Sequence, residues 1–249
     1  MFMIYLFIAG AVLGSFFHIA GRRIPKKISL FTPRSSCPIC LRKLTFLERI
    51  PILSYLFCRG KCKQCKSAVS LVHPAIELGT AMLFVQAYIC FDQEGERFIA
   101  LLLISLFMIV FVTDVMYMVI PNIVLCFFLP FFIFGRMFVP LDPWHSSLTG
   151  AVCGCLLPLF TALFTKGGIG GGDIKLFTVL GLVLGYRLVL LAFFLSATIG
   201  TIFALIAMFA GQLNRKEPLP FVPAISIGSL LSYFYGEHLI NFYRQFAFG

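Results

Sequence analysis

Long apolar stretches separated by short polar breaks set the pattern of the chain. They lie near 1–20, 74–91, 97–116, 119–139, 147–165, 173–186, 188–210 and 220–243. Several are close to the minimum of about 17 residues that a helix needs to cross a bilayer. The pattern predicts an all-α polytopic membrane protein with about eight transmembrane helices. One polar segment is long, and it divides the chain into a first transmembrane helix (1–20), a polar loop domain (21–73) and a seven-helix membrane domain (74–249). No internal repeat or heptad array is present.

Composition agrees with this division. The chain is 60% hydrophobic and 12% charged, with 30 Phe, and a soluble fold of that make-up would expose large apolar patches. A net charge of +10 raises the question of nucleic acid, but its distribution argues against that partner. Twelve of the 20 Lys and Arg lie between Arg22 and Lys66, as expected of a cytoplasmic membrane loop facing anionic lipid. The first apolar run precedes its basic flank, the reverse of a cleaved signal peptide. With the N-terminus outside, sixteen basic residues fall on the cytoplasmic side, including Lys166, Lys175, Arg215 and Lys216. Only Arg97, Arg136, Arg187 and Arg244 fall outside, together with the acidic stretch from Asp92 to Glu96. The expected location is the cytoplasmic (inner) membrane, crossed many times.

The polar loop carries Cys37-Pro-Ile-Cys40 and Cys62-Lys-Gln-Cys65, with 21 residues between the pairs. Two C-x-x-C knuckles in a small polar segment are the signature of a structural zinc ion held by four thiolates. A segment of about 50 residues needs such a staple to fold. Disulfides conflict with a reducing cytoplasm, and four protein ligands leave no open position for catalysis. Cys58 reads as a buried free thiol or a spare ligand.

Two carboxylates stand out in the membrane part. Asp114 ends a strongly apolar run, and Asp173 follows Gly167-Gly168-Ile169-Gly170-Gly171-Gly172, five glycines in six residues. The predicted topology puts both at the cytoplasmic boundary, where an ionisable group suggests function. One reading makes Asp173 a helix cap after a flexible loop. The other pairs it with Asp114: two close carboxylates share a proton, one activates water and the other polarises a peptide carbonyl. Gly170, Gly171 and Gly172 would then admit an extended peptide backbone. Lys175 is expected to snorkel to the interface, and Glu77 to pair with a loop Lys or Arg. A membrane carrier using the paired carboxylates as ion or proton sites is the alternative, though it leaves the cysteine module unexplained. A structural scaffold with a zinc-bound docking loop leaves the glycines unexplained.

These residues resemble those of the bacterial type IV prepilin peptidases, G-x-G-D aspartic membrane proteases that combine leader peptidase and N-methyltransferase activities. The resemblance runs nearly end to end. It includes Gly14-Ser15-Phe16, Arg23-Ile24-Pro25, the paired cysteines and His73-Pro74-Ala75-Ile76-Glu77. Asp114 with Ile120-Pro121-Asn122, the run Gly170 to Leu176, and Pro220-Phe221-Val222-Pro223 with Gly228 complete it. It implies that Asp114 and Asp173 form the catalytic dyad and that the substrates are prepilins or pseudopilins of pilus, type II secretion or competence systems. It further implies cleavage after a Gly on the cytoplasmic side, then N-methylation from S-adenosylmethionine. Glu77 and Lys175 are candidates for the second reaction or a secondary role. The chain departs from the usual pattern at His18 (Asn), His73 (Tyr), Cys58 (an apolar residue) and Val222 (Gly).

Overall fold

Backbone polar groups in lipid have to be satisfied within the segment, so apolar runs of this length fold as helices. In a computed structural model of the chain, the described residues are 1–30, 39–40, 42, 45, 50–52, 55, 57–58, 60–68, 70–165, 168–210 and 219–248. Among them are seven helices: α1 (Phe2–Arg23), α2 (Val72–Cys90), α3 (Glu94–Tyr117), α4 (Asn122–Phe138), α5 (Ser146–Phe164), α6 (Gly171–Phe209) and α7 (Val222–Phe248). No strand occurs among the described residues beyond an isolated bridge between Lys61 and Ala68. Four helices, α1, α3, α5 and α6, are long and apolar enough to cross a membrane, and α4 is a shorter apolar helix. The chain is an integral membrane protein.

α3 is the spine. Leu103, Ile104, Leu106, Phe107 and Val110 are sealed from solvent, and α3 packs against α1, α2, α4 and α7. A second layer is formed by α5 on α6 and α6 on α7. The α5–α6 contact is backbone to backbone. A Cβ on Gly150 would collide with the carbonyl of Gly181, and one on Gly154 with that of Phe177. This is the small-residue packing expected of these glycines, which lets two helices approach where lipid offers no hydrophobic drive.

The count of eight predicted spans differs from the seven observed helices at one place. The runs 173–186 and 188–210 form a single element, α6, of 39 residues. At 1.5 Å per residue it is about 58 Å long, roughly twice the hydrocarbon thickness. It is not straight: Gly185 has φ 78° and ψ 173°, a non-helical conformation at the predicted boundary. Hydropathy located the break, while the absence of any intervening polar loop made the two halves one element.

A polar network closes one end of the bundle. Arg136, in the last turn of α4, donates from Nη1 and Nη2 to Glu96 at 2.7 and 2.9 Å, and from Nε to the Val183 carbonyl at 2.8 Å. The Tyr233 hydroxyl donates to Glu96 at 2.6 Å. Val183 lies two residues before the break at Gly185, where helical carbonyls lose their partners. The clasp thus joins α3, α4, α6 and α7. Arg136 is buried, and Glu94 and Glu96 form the first turn of α3, where acids suit the helix dipole.

Candidate functional site

Asp114 occupies the last turn of α3, which closes when the Met118 amide, in a left-handed residue of φ 52°, donates to the Asp114 carbonyl at 2.8 Å. The side chain is buried. Its Oδ2 accepts a hydrogen bond from the Val222 amide at 2.9 Å, and the Phe221 amide faces it as well. These amides open α7, where Pro220 and Pro223 carry no N–H and the first-turn donors have no helical partner. The positive end of α7 therefore points at the Asp114 carboxylate.

Asp173 is the third residue of α6. Its Oδ2 accepts from the Gly170 amide at 3.2 Å, while its own amide donates to the Gly170 carbonyl at 3.0 Å. The residue does cap its helix, and it does more. The two carboxylates lie close enough for the Asp114 charge to act on Asp173. The three glycines before it are not equivalent. A Cβ on Gly171 would meet nothing within 4 Å, one on Gly172 would lie 3.0 Å from Ile120 Cβ, and one on Gly170 would lie 3.2 Å from Asp173 Oδ2. Gly171 alone leaves open space over the backbone.

Lys175 is exposed, and its ammonium donates to Asn122 Oδ1 at 3.0 Å, a partner beyond the expected snorkelling. Asn122 begins α4, directly after the turn from Asp114, so this bond ties the two aspartate segments together. Glu77 also differs. It is 2% exposed, pairs with His73 Nδ1 at 3.0 Å, accepts from the Ile52 amide at 2.7 Å and from the Ser15 hydroxyl. Its partners are an imidazole and a loop backbone, where a Lys or Arg was expected. The His18 ring from α1 lies 4.5 Å from that of His73.

In the loop, the sulfurs of Cys40, Cys62 and Cys65 all lie within 4.8 Å of one another, with Cys40 and Cys62 at 4.0 Å. Tetrahedral zinc with bonds of about 2.3 Å separates its thiolates by about 3.8 Å, so three of the four predicted ligands fit. The fourth, Cys37, lies outside the described residues. Cys58 is described and does not join the group.

Sequence reasoning missed the Phe221 and Val222 amides, Asn122 and the His18–His73 contact. The two prolines around Phe221-Val222 were the available signal for the amides.

Residues 8–91 match the Bacterial Peptidase A24 N-terminal domain, and residues 101–205 match the Type IV leader peptidase family. The chain is similar to a Prepilin leader peptidase/N-methyltransferase of Bacillus subtilis, with 51% identity across 98% of each chain. Proteins of the same name from Aeromonas salmonicida and Burkholderia pseudomallei are 30% and 31% identical, over 88% and 86% of this chain and 77% and 71% of theirs. No solved structure matches the chain. With both domains matched in order, and half its residues identical to a relative along almost the whole length, the chain belongs to the type IV leader peptidase family.

Proposed function

We propose that the protein is an aspartic membrane endopeptidase that removes the leader of prepilin-like precursors and then methylates the new N-terminus, with Asp114 and Asp173 as the cleaving pair. The observation that carries this reading is that two carboxylates from distant segments, at the ends of α3 and α6, lie near enough for the charge of one to act on the other. Held together, they share one proton. The ionised carboxylate takes a proton from water as its oxygen attacks the scissile carbonyl carbon. The protonated one donates to the carbonyl oxygen, and the C–N bond then breaks with a proton passing to the leaving amine. Gly171 is the place where an extended substrate strand approaches, and the Lys175–Asn122 bond keeps the two segments in register.

The segment 21–73 is read as a cytoplasmic domain held by zinc on Cys37, Cys40, Cys62 and Cys65, beside a membrane domain over 74–249. The broken α6 counts as two spans in the eight-span topology, which puts this domain and the aspartates on the cytoplasmic side of the inner membrane. The basic loop meets anionic lipid, and nucleic acid is not a partner. S-adenosylmethionine, implied by the N-methyltransferase activity in the relatives' name, supplies an activated methyl group when bound. Of the two residues considered for that reaction, Lys175 is committed to Asn122, and Glu77 belongs to a separate polar cluster that suits the second chemistry better. A carrier reading has no comparable support in the relatives.

Asp114→Asn and Asp173→Asn test the pair. Each is expected to reach the membrane at wild-type levels and to cleave a prepilin more than about 10³-fold more slowly. Wild-type cleavage by either variant would sink the assignment.

A further inference from the structure

A cluster at the junction of α1, α2 and the loop remains unused by the cleavage chemistry. His73 Nδ1 sits 3.0 Å from Glu77 Oε1, so in the neutral ring that nitrogen carries the proton and Nε2 is the acceptor. Glu77 accepts from His73, the Ile52 amide and the Ser15 hydroxyl, and it is 2% exposed. Its oxygens are occupied in orienting the ring, not in waiting for a ligand. His18 braces the imidazole from α1 with the rings 4.5 Å apart. The His73 side chain is 33% exposed, so the group held this firmly remains reachable. A carboxylate that fixes a histidine tautomer and leaves the far nitrogen free is the arrangement of a general base. A metal site is the other use of such residues. Among the described residues, however, the ligand atoms that converge belong to Cys40, Cys62 and Cys65, and the histidines and Glu77 form no such group.

Position links the cluster to the aspartates. One turn beyond His18, the Arg22 carbonyl accepts from the Tyr117 hydroxyl at 3.2 Å, and Lys26 lies 5.3 Å over the Tyr117 ring. Tyr117 is three residues past Asp114. The end of α1 thus spans from the His73 cluster to the end of α3 that carries Asp114, both at one end of the bundle. The cluster therefore lies at the end of the bundle where cleavage at the aspartates would release a new peptide end.

That end is an α-ammonium, whose ordinary pKa of about 8 leaves it mostly protonated and without a lone pair at neutral pH. We infer that His73 is the proton acceptor for N-methylation, taking the proton from the new N-terminal ammonium through Nε2, with Glu77 and His18 as its positioning residues. The inference rests on the methyltransferase half of the proposed function. The N–H bond breaks and its proton goes to the imidazole. The freed nitrogen lone pair forms a bond to the methyl carbon of the sulfonium donor, and the C–S electron pair stays on sulfur as a neutral thioether. The product is a secondary ammonium, and the imidazolium returns its proton to water. Among the described residues, the charged and titratable groups facing His73 are Glu77 on its own helix and His18 on α1, with Arg22 acting on His18.

Full-length protein in lipid vesicles, given a prepilin and labelled S-adenosylmethionine, tests this with cleavage and methylation read from the same samples. His73→Gln is expected to cleave within about two-fold of wild type but to methylate about ten-fold more slowly at pH 7, where only about a tenth of the amine is unprotonated unaided. The deficit should shrink towards pH 9, where the amine loses its proton unaided. Binding of S-adenosylhomocysteine, read by calorimetry, should be unchanged. His73→Phe, which keeps an aromatic ring against His18 but has no nitrogen, should show the same pH-dependent deficit. Wild-type methylation by either variant, a deficit independent of pH, or equal loss of cleavage and methylation would overturn the proposal. The last result would mean that the cluster only clamps the loop. A wild-type protein that cleaves and never methylates would instead overturn the underlying functional reading.

Discussion

A methyl group added at Gly171 enters open space, and one added at Gly172 presses on Ile120. That contrast separates substrate access from folding. Gly171→Ala is expected to leave the melting temperature in detergent unchanged and to slow cleavage by about ten-fold or more, since a small displacement of a reacting peptide is costly. Gly172→Ala should lower stability by about 1 kcal/mol through overpacking, visible as a lower melting temperature. Full cleavage activity in Gly171→Ala would remove the glycine from the substrate path. At this scale the sequence revealed side chains better than their partners. Asp114 and Asp173 were legible because an acid in an apolar run is costly. The Phe221 and Val222 amides left no trace in residue type, because every non-proline residue has an N–H. Asn122 lies 53 residues from Lys175, and neither side chain announces the other.

Hydropathy located each helix to within a few residues, yet it could not see what joins them. Nothing in the sequence marks Arg136 as buried, because its burial depends on Glu96 and on a carbonyl exposed by a break 49 residues downstream. Arg136→Leu is expected to destabilise the bundle by about 3–5 kcal/mol, because it strands a largely buried Glu96 carboxylate. The double variant with Glu96→Leu should recover much of that loss. Thermal unfolding of the four proteins of this cycle checks the prediction, and additive losses would refute the pairing. At the α5–α6 contact, Gly181→Leu should prevent correct packing altogether, since its side chain would need the space of the Gly150 backbone.

For the molecule as a whole, the asymmetry of Lys and Arg and the two C-x-x-C pairs suggested a division into loop and membrane parts. How the two parts meet was not readable. The loop's Ile52 amide is held by Glu77 within α2, so the small domain is anchored to the helix that carries His73. Purified protein is expected to contain one zinc per chain by metal analysis. Its removal by a strong chelator should make segment 21–73 sensitive to protease while the fragment from α3 to α7 stays intact. A loop that resists protease equally with and without metal would remove zinc from its folding.

The Arg136 clasp bears on how a peptide substrate gains entry to the aspartates. Along α3 it lies about 27 Å from Asp114, at 1.5 Å of rise per residue. With one end of the bundle clasped across four helices, any sideways parting of the other end would be widest at the aspartates and closed at the clasp. The non-helical residue Gly185 lies beside the clasp, two residues from the Val183 carbonyl that it holds. A bundle parted in this way would open the aspartates to a precursor approaching from the lipid while its far end stayed shut.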